Sequence, residues 1–207
     1  MTGVGAVVWD VGNVLLEWDP ERFYDREIGE ERRRALFAAV DLHGMNARVD
    51  AGAPWAEEVA ALAALHPAWA PAISHWHGRW LEMASPAIPR SVRLLQALKA
   101  RGVACLALTN FGRETWAHAL DHYPFLGLFD RAFVSGELRL AKPDPAIYAA
   151  VEEGAGLPPP ALLFADDRPE NVAAAAARGW RTHLFEGPES LAERLVAEGL
   201  LTAAEAA

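Results

Sequence analysis

Hydrophobic positions change their rhythm along the chain. Ala6–Trp9 is an unbroken apolar run that stops at Asp10 and Gly12. Such a run predicts a strand buried on both faces and followed by a loop. From Glu17 to about Pro86 the spacing is helical, with segments over Glu30–Val40, Trp55–Leu65 and Trp69–Ala84. Breaks fall at Asp41–Gly44, Asp50–Pro54 and His66–Pro67. No strand pattern interrupts this stretch, which therefore reads as a small helical insert rich in tryptophan and histidine. After Pro89 helix and strand alternate. Helices are expected over Ser91–Arg101, Gly112–His122, Pro145–Glu153, Pro169–Arg178 and Ser190–Glu198. Strands are expected over Val103–Leu108, Ala132–Val134, Ala161–Ala165 and Arg181–Phe185. That alternation predicts an α/β fold with a parallel sheet covered on both faces.

Ligands of open parallel sheets bind beyond the carboxyl ends of the strands. Three predicted strand ends carry reactive or polar groups: Asp10, Thr109-Asn110 and Asp166-Asp167. Lys142 lies in the loop Ala141-Lys142-Pro143-Asp144. Each alone reads most simply as a helix cap or an ordinary loop residue. Together they form a chemical set. Asp10 is a candidate nucleophile or cation ligand, and packed carboxylates suit Mg²⁺. Thr109 opens an anion site ahead of a helix N-terminus, and Lys142 adds a compact positive charge. Phosphoryl transfer to an aspartate requires these parts.

Composition narrows the classes. The 207 residues carry 19 Lys plus Arg against 28 Asp plus Glu, a net charge of −9, which disfavours binding to nucleic acid. The single cysteine, Cys105, excludes an intrachain disulfide and a cysteine metal cage. Only Lys99 and Lys142 are lysines in a chain that otherwise uses Arg, so the placement of Lys142 stands out. Met1–Val8 lacks the basic segment and length of a leader, and no apolar stretch is long enough to cross a membrane. A cytoplasmic location is expected.

The order of the motifs is informative. Val7-Val8-Trp9-Asp10-Val11-Gly12-Asn13-Val14-Leu15, then Leu108-Thr109-Asn110, then Lys142-Pro143-Asp144-Pro145-Ala146-Ile147-Tyr148, then Phe164-Ala165-Asp166-Asp167-Arg168-Pro169-Glu170-Asn171, resembles the haloacid dehalogenase (HAD) superfamily. The likeness is strongest to small sugar-phosphate phosphatases with a Gly-Asn-Val segment after the first Asp. It implies a Rossmann-like core over 1–16 and 89–207, with a helical cap over 17–88 inserted after the first strand. It implies a Mg²⁺-dependent phosphatase acting on a small-molecule phosphate ester. Asp10 would be the nucleophile. Thr109, Asn110 and Lys142 would hold the phosphoryl group, with Lys142 also stabilising charge on the nucleophile. Asp10, the backbone carbonyl of Gly12 and Asp166 would hold the metal, with Asp167 in support.

One departure matters. Phosphatases of this superfamily usually carry a second Asp two positions after the nucleophile, which protonates the leaving group and then activates water. Gly12 stands there. Loss of such help costs about 10²–10⁴ in rate. A good leaving group, as in an anomeric sugar 1-phosphate or an acyl phosphate, relaxes the need. Glu17, Asp19, His43 and His77 are candidate replacements. A 2-haloacid dehalogenase, in which Asp10 attacks carbon, needs no such acid. It needs no Mg²⁺ either, and the Asp166-Asp167 pair weighs against it. A non-catalytic binding protein is a third reading, disfavoured by the intact Asp10, Lys142 and Asp166. Within the cap, Trp18 and Asp19 near the hinge and Asn46 and Arg48 between predicted helices are candidates to face the substrate. Trp69, Trp76 and Trp80 share helical spacing and are expected mainly in the cap core.

Overall fold

The computed structural model describes residues 3–207. Met1 and Thr2, which begin both the predicted core segment 1–16 and the stretch read for targeting, lie outside the described residues. Five parallel strands form one sheet: β1 (Ala6–Trp9), β2 (Ala104–Thr109), β3 (Arg131–Val134), β4 (Leu162–Asp166) and β5 (Arg181–Leu184), in the order β3-β2-β1-β4-β5. The central strand is the fully apolar one, as a strand covered on both faces must be.

Alternate residues of β1 enter different cores. Val7 and Trp9 face one side, together with Leu94, Leu95 and Leu98 of one helix and Trp116 and Ala119 of another. Ala6 and Val8 face the other, with Ile147, Tyr148, Val151 and Ala175. Among the described residues no helix is long and apolar enough to cross a membrane.

Between β1 and the next strand run α1 (Pro20–Ile28), α2 (Glu30–Ala39), α3 (Leu42–Asp50), α4 (Trp55–Leu65), α5 (Ala70–Gly78), α6 (Trp80–Met83) and α7 (Pro89–Ala100). Then come α8 (Arg113–His122), α9 (Ser135–Leu138), α10 (Pro145–Ala155), α11 (Pro169–Ala177) and α12 (Pro188–Ala197), with 3-10 turns at Pro124–Leu128 and Pro159–Ala161.

The helical insert is more broken than its sequence pattern implies. The expected helix over Trp69–Ala84 divides at Arg79, whose backbone leaves the helical region with φ −133°. Two helices of the insert lie outside the expected segments. In α1 the Asp19 side chain accepts from the Arg22 N–H and Pro20 stands in the first turn, a start signal placed just outside the predicted segments. In α3 the Asp41 side chain caps Gly44 and the buried Leu42, Met45 and Val49 keep helical spacing. Asp41–Gly44 is thus the start of a helix rather than a break. Asn46 and Arg48 consequently lie on a helix, not between helices.

Candidate active site

The register of the sheet assembles the floor of the site. Trp9 pairs with Ala165 on β4, so Asp10 follows directly beside Asp166, and its N–H donates to the Ala165 carbonyl at 2.9 Å. Lys142 reaches between the two carboxylates. Its Nζ is 2.9 Å from Asp10 Oδ1 and 2.6 Å from Asp166 Oδ2, with only 1% of the lysine side chain exposed. Asn110 fixes the lysine loop: it accepts from the Lys142 N–H at 2.9 Å and donates to the Lys142 carbonyl at 3.0 Å. Both ends of that side chain are therefore used, and the backbone of Asn110 is what remains to meet an anion. Thr109 is buried and lines the cavity beside Asp10.

The two adjacent acids differ. Asp166 is fully buried. Besides Lys142, it accepts from the Arg168 N–H at 2.8 Å and from Asn171 Nδ2 at 3.0 Å on each oxygen. Asp167 is half-buried and accepts from Asn13 Nδ2 at 3.1 Å. Asn13 has φ 55°, a conformation asparagine tolerates better than most residues, and its Oδ1 accepts from the Trp18 N–H at 3.0 Å. Asn13 and Asn171 were quoted within the motifs without a role. They prove to hold the paired acids. The Gly-Asn turn signal marks the first, and the second stands one turn into a helix behind the acids.

Carboxylate oxygens of Asp10, Asp166 and Asp167 lie within 4.8 Å of one another. One ammonium faces these three acids, so two negative charges stay uncompensated among them. That donor set fits a hard divalent cation such as Mg²⁺. Burial pushes the Asp10 carboxyl well above the usual carboxylate range, against the pull of Lys142. Burial works to lower Lys142, but Asp10 and Asp166 together hold its ammonium above the ordinary lysine value.

A cavity of about 450 Å³ opens above this floor. Gly12 lines it, with open space where a Cβ would stand. Of the sequence candidates outside the floor, Glu17, Trp18, His43 and Asn46 line the cavity. Asp19, Arg48 and His77 do not line it. Asp19 caps α1, Arg48 donates to Glu58 at 2.7 Å, and the exposed His77 lies tilted against Trp55 with ring centroids 4.4 Å apart. Trp76 is buried as expected, whereas Trp80 is buried yet contributes to the cavity wall beside Phe111.

Asp50, at the end of α3, is a cavity residue that the sequence reading passed over as part of a break. It accepts from Asn46 Nδ2 at 2.9 Å, and Asn46 Oδ1 in turn accepts from the Trp76 indole at 2.9 Å. An indole N–H only donates, so the amide of Asn46 is oriented with its NH₂ toward Asp50. Burial pushes the Asp50 carboxyl up to about 7, opposed by a hydrogen bond from the Gly112 N–H. The signal available in sequence was the pairing of Asn46 and Asp50 four residues apart, one helical turn.

Comparisons with known proteins bear on the fold and the family. A solved HAD family enzyme from Bacteroides thetaiotaomicron is similar at 24% identity and TM-score 0.71, covering 88% of this chain and 93% of that one. The same enzyme has been solved as a mutant with magnesium and inorganic phosphate, at 23% identity and TM-score 0.71, with coverage of 87% and 93%. L-2-haloacid dehalogenase from Xanthobacter autotrophicus is similar at 20% identity and TM-score 0.62, covering 96% and 84%. At these identities the likeness is one of fold. Sesquiterpene phosphatase astK of Aspergillus oryzae is 33% identical over 90 residues, 44% of this chain and 46% of its own length. Flavin mononucleotide hydrolase 1 of Arabidopsis thaliana is 34% identical over 103 residues, 49% and 41%. The chain spans less than half the length of these curated relatives. A family model described as haloacid dehalogenase-like hydrolase matches residues 4–179, and the chain belongs to that family of hydrolases.

Proposed function

We propose that this hydrolase is a Mg²⁺-dependent phosphatase that cleaves a small phosphomonoester through an aspartyl-phosphate on Asp10. The observation that carries the reading is the trio of Asp10, Asp166 and Asp167, with Lys142 paired to two of its members. Dehalogenation has no use for a third carboxylate at the nucleophile. Similarity to two relatives named as a phosphatase and a mononucleotide hydrolase supports phosphate-ester chemistry.

Asp10, Asp167 and the backbone carbonyl of Gly12 would hold the cation. Asp166 adds an oxygen, and its other bonds make it the residue that keeps Lys142 aimed at Asp10. When bound, Mg²⁺ neutralises charge on the phosphoryl oxygens. Asp10 attacks phosphorus, and the bond to the ester oxygen breaks. The Thr109 hydroxyl, the Asn110 N–H and the Lys142 ammonium hold the phosphoryl oxygens. Water then attacks phosphorus and frees Asp10. Residues 17–88 act as a cap that closes over the floor and excludes bulk water. Trp18, His43 and Asn46 meet the non-phosphate part of the substrate. The aromatic faces of Trp18, Trp80 and Phe111 along the cavity suit a ring, a sugar among the candidates.

The test is phosphate release over a panel of phosphate esters with Mg²⁺ and with EDTA, beside a chloroacetate assay. EDTA is expected to abolish activity. Halide release that survives EDTA would replace the phosphatase reading with the dehalogenase one, which needs no acid at the position of Gly12.

A further inference from the structure

An alkoxide leaving group needs a proton, and the floor of the cavity offers none in a free state. Asp10 is the attacking group. Lys142 is committed to two carboxylates, and the oxygens of Asp166 are occupied by Lys142, Asn171 and the Arg168 N–H. Asp167 belongs to the metal set. The remaining titratable lining groups are Glu17, His43, Asp50 and Arg168. Glu17 is ion-paired with Arg22, and Arg168 with Glu170 at 2.6 Å. His43 is exposed and lies edge-on to Phe37 and Trp76.

Asp50 differs from all of these. Among the ion pairs of the described residues it has no cationic partner. Its place is fixed from two sides: Asn46 donates to the carboxylate at 2.9 Å and Ser135 Oγ donates to the Asp50 carbonyl at 2.6 Å. The same Ser135 hydroxyl accepts from the Phe111 N–H at 3.0 Å. Phe111 and Gly112 continue directly from Thr109 and Asn110. Asp50 is thus held against the loop that receives the phosphoryl group. The contact is close: a Cβ on Gly112 would stand 2.5 Å from Val49 Cγ1.

We propose that Asp50, reaching over the floor from α3, is the acid–base residue of the reaction and takes the role left vacant at Gly12. The inference rests on the phosphatase reading above. As Asp10 attacks phosphorus, the phosphorus–oxygen bond breaks with its electron pair going to the ester oxygen. That oxygen takes the proton of the Asp50 carboxyl and leaves as an alcohol. The resulting Asp50 carboxylate then takes a proton from water as the water oxygen attacks phosphorus. The Asp10–phosphorus bond breaks, inorganic phosphate departs, and Asp50 is protonated again. A carboxyl raised by burial to about 7 is suited to both halves of this cycle at neutral pH.

The experiment compares wild type, Asp50→Asn, Asp50→Glu and Asp10→Asn on phenyl phosphate and 4-nitrophenyl phosphate with Mg²⁺. Thermal melts and binding of vanadate with Mg²⁺ report whether each variant keeps its fold and site. Asp50→Asn is expected to lose about 10²–10⁴ in kcat/KM on phenyl phosphate. On 4-nitrophenyl phosphate, whose leaving group needs no proton, it should keep a burst of nitrophenolate close to the enzyme concentration, followed by slow turnover. Asp50→Glu should restore part of the phenyl phosphate rate, and Asp10→Asn should give neither burst nor turnover. Equal losses on both substrates, or wild-type rates in folded Asp50→Asn, would overturn the role of Asp50 and leave the phosphatase reading standing. A wild type inactive on both esters would overturn the two together.

Discussion

The floor and the roof of the cavity are built differently. On the floor, Asp10 and Asp166 sit at neighbouring strand ends, and Lys142 reaches them from the loop after α9, so that these buried groups are tied by short contacts. Lys142 alone touches two buried carboxylates, and Asp166 accepts from three separate residues. On the roof, α3 carries one side-chain relay from Trp76 through Asn46 to Asp50, with Ser135 Oγ holding the Asp50 carbonyl. A floor so heavily bonded is pre-organised for one chemistry, and its charges are at fixed positions before any ligand arrives. The roof carries fewer constraints and more aromatic surface, which suits discrimination among substrates and a change of position during the cycle.

The largest way to break this contrast is Lys142→Met. It leaves Asp10 and Asp166 facing each other without the ammonium, and removal of one partner from a buried ion pair costs about 3–5 kcal/mol. Denaturant unfolding should register that loss, and turnover should fall to background. A stable Lys142→Met protein would mean the floor is less tightly coupled than its hydrogen bonds imply.

On the roof the expected effects are smaller. Asn46→Ala unpairs the buried Trp76 indole N–H and removes the side-chain donor to the Asp50 carboxylate. An unsatisfied buried donor costs about 1–3 kcal/mol. Melting should report that change, while the Mg²⁺ dependence of turnover, a property of the floor, should be untouched.

A still finer effect is the pH dependence of stability contributed by Asp50. Burial raises its folded carboxyl from the ordinary carboxylate value of 3.8 to about 7. Between those values the folded state holds a proton that the unfolded state has lost. Stability from this group therefore declines as pH rises through the window and levels off above about 7. The melting temperature of wild type relative to Asp50→Asn should fall from about pH 5 to about pH 7 and hold steady above that. A constant difference would contradict the raised value.

The smallest effects belong to residues that the sequence offered and the cavity leaves out. Arg48→Ala removes an exposed ion pair with Glu58, worth about 0–1 kcal/mol. His77→Ala trims an exposed ring from Trp55. Both should turn over substrate like wild type; a large loss from either would place part of the substrate-reading surface outside the cavity lining.

The legibility of the sequence follows the same division. Strand ends are marked by apolar runs that stop at polar residues, so Asp10, Thr109 and Asp166 could be brought together from linear order alone. Strand limits moved by a residue or so, as at Val103–Leu108 against β2 and Ala161–Ala165 against β4. The helical insert was harder, because its helices are short and turn frequently. Asp41 and Asp50 resemble loop punctuation in sequence, yet they cap and terminate one helix. Misplacing α3 concealed Asp50. It also put Asn46 and Arg48 in a common loop, whereas Asn46 lines the cavity and Arg48 pairs with Glu58 outside it. Tertiary packing decides which side of a short helix meets the ligand, and periodicity over so few turns does not carry that information.

The central claim is that phosphoryl groups pass through Asp10. Its most direct test is mass spectrometry of the Asp10-containing peptide from enzyme acid-quenched during turnover with Mg²⁺. The account predicts a phosphoryl group on Asp10 that is absent when EDTA is present and absent from Asp10→Asn. An Asp10 that is unmodified, or joined to carbon as an alkyl ester, in enzyme at full turnover would contradict it.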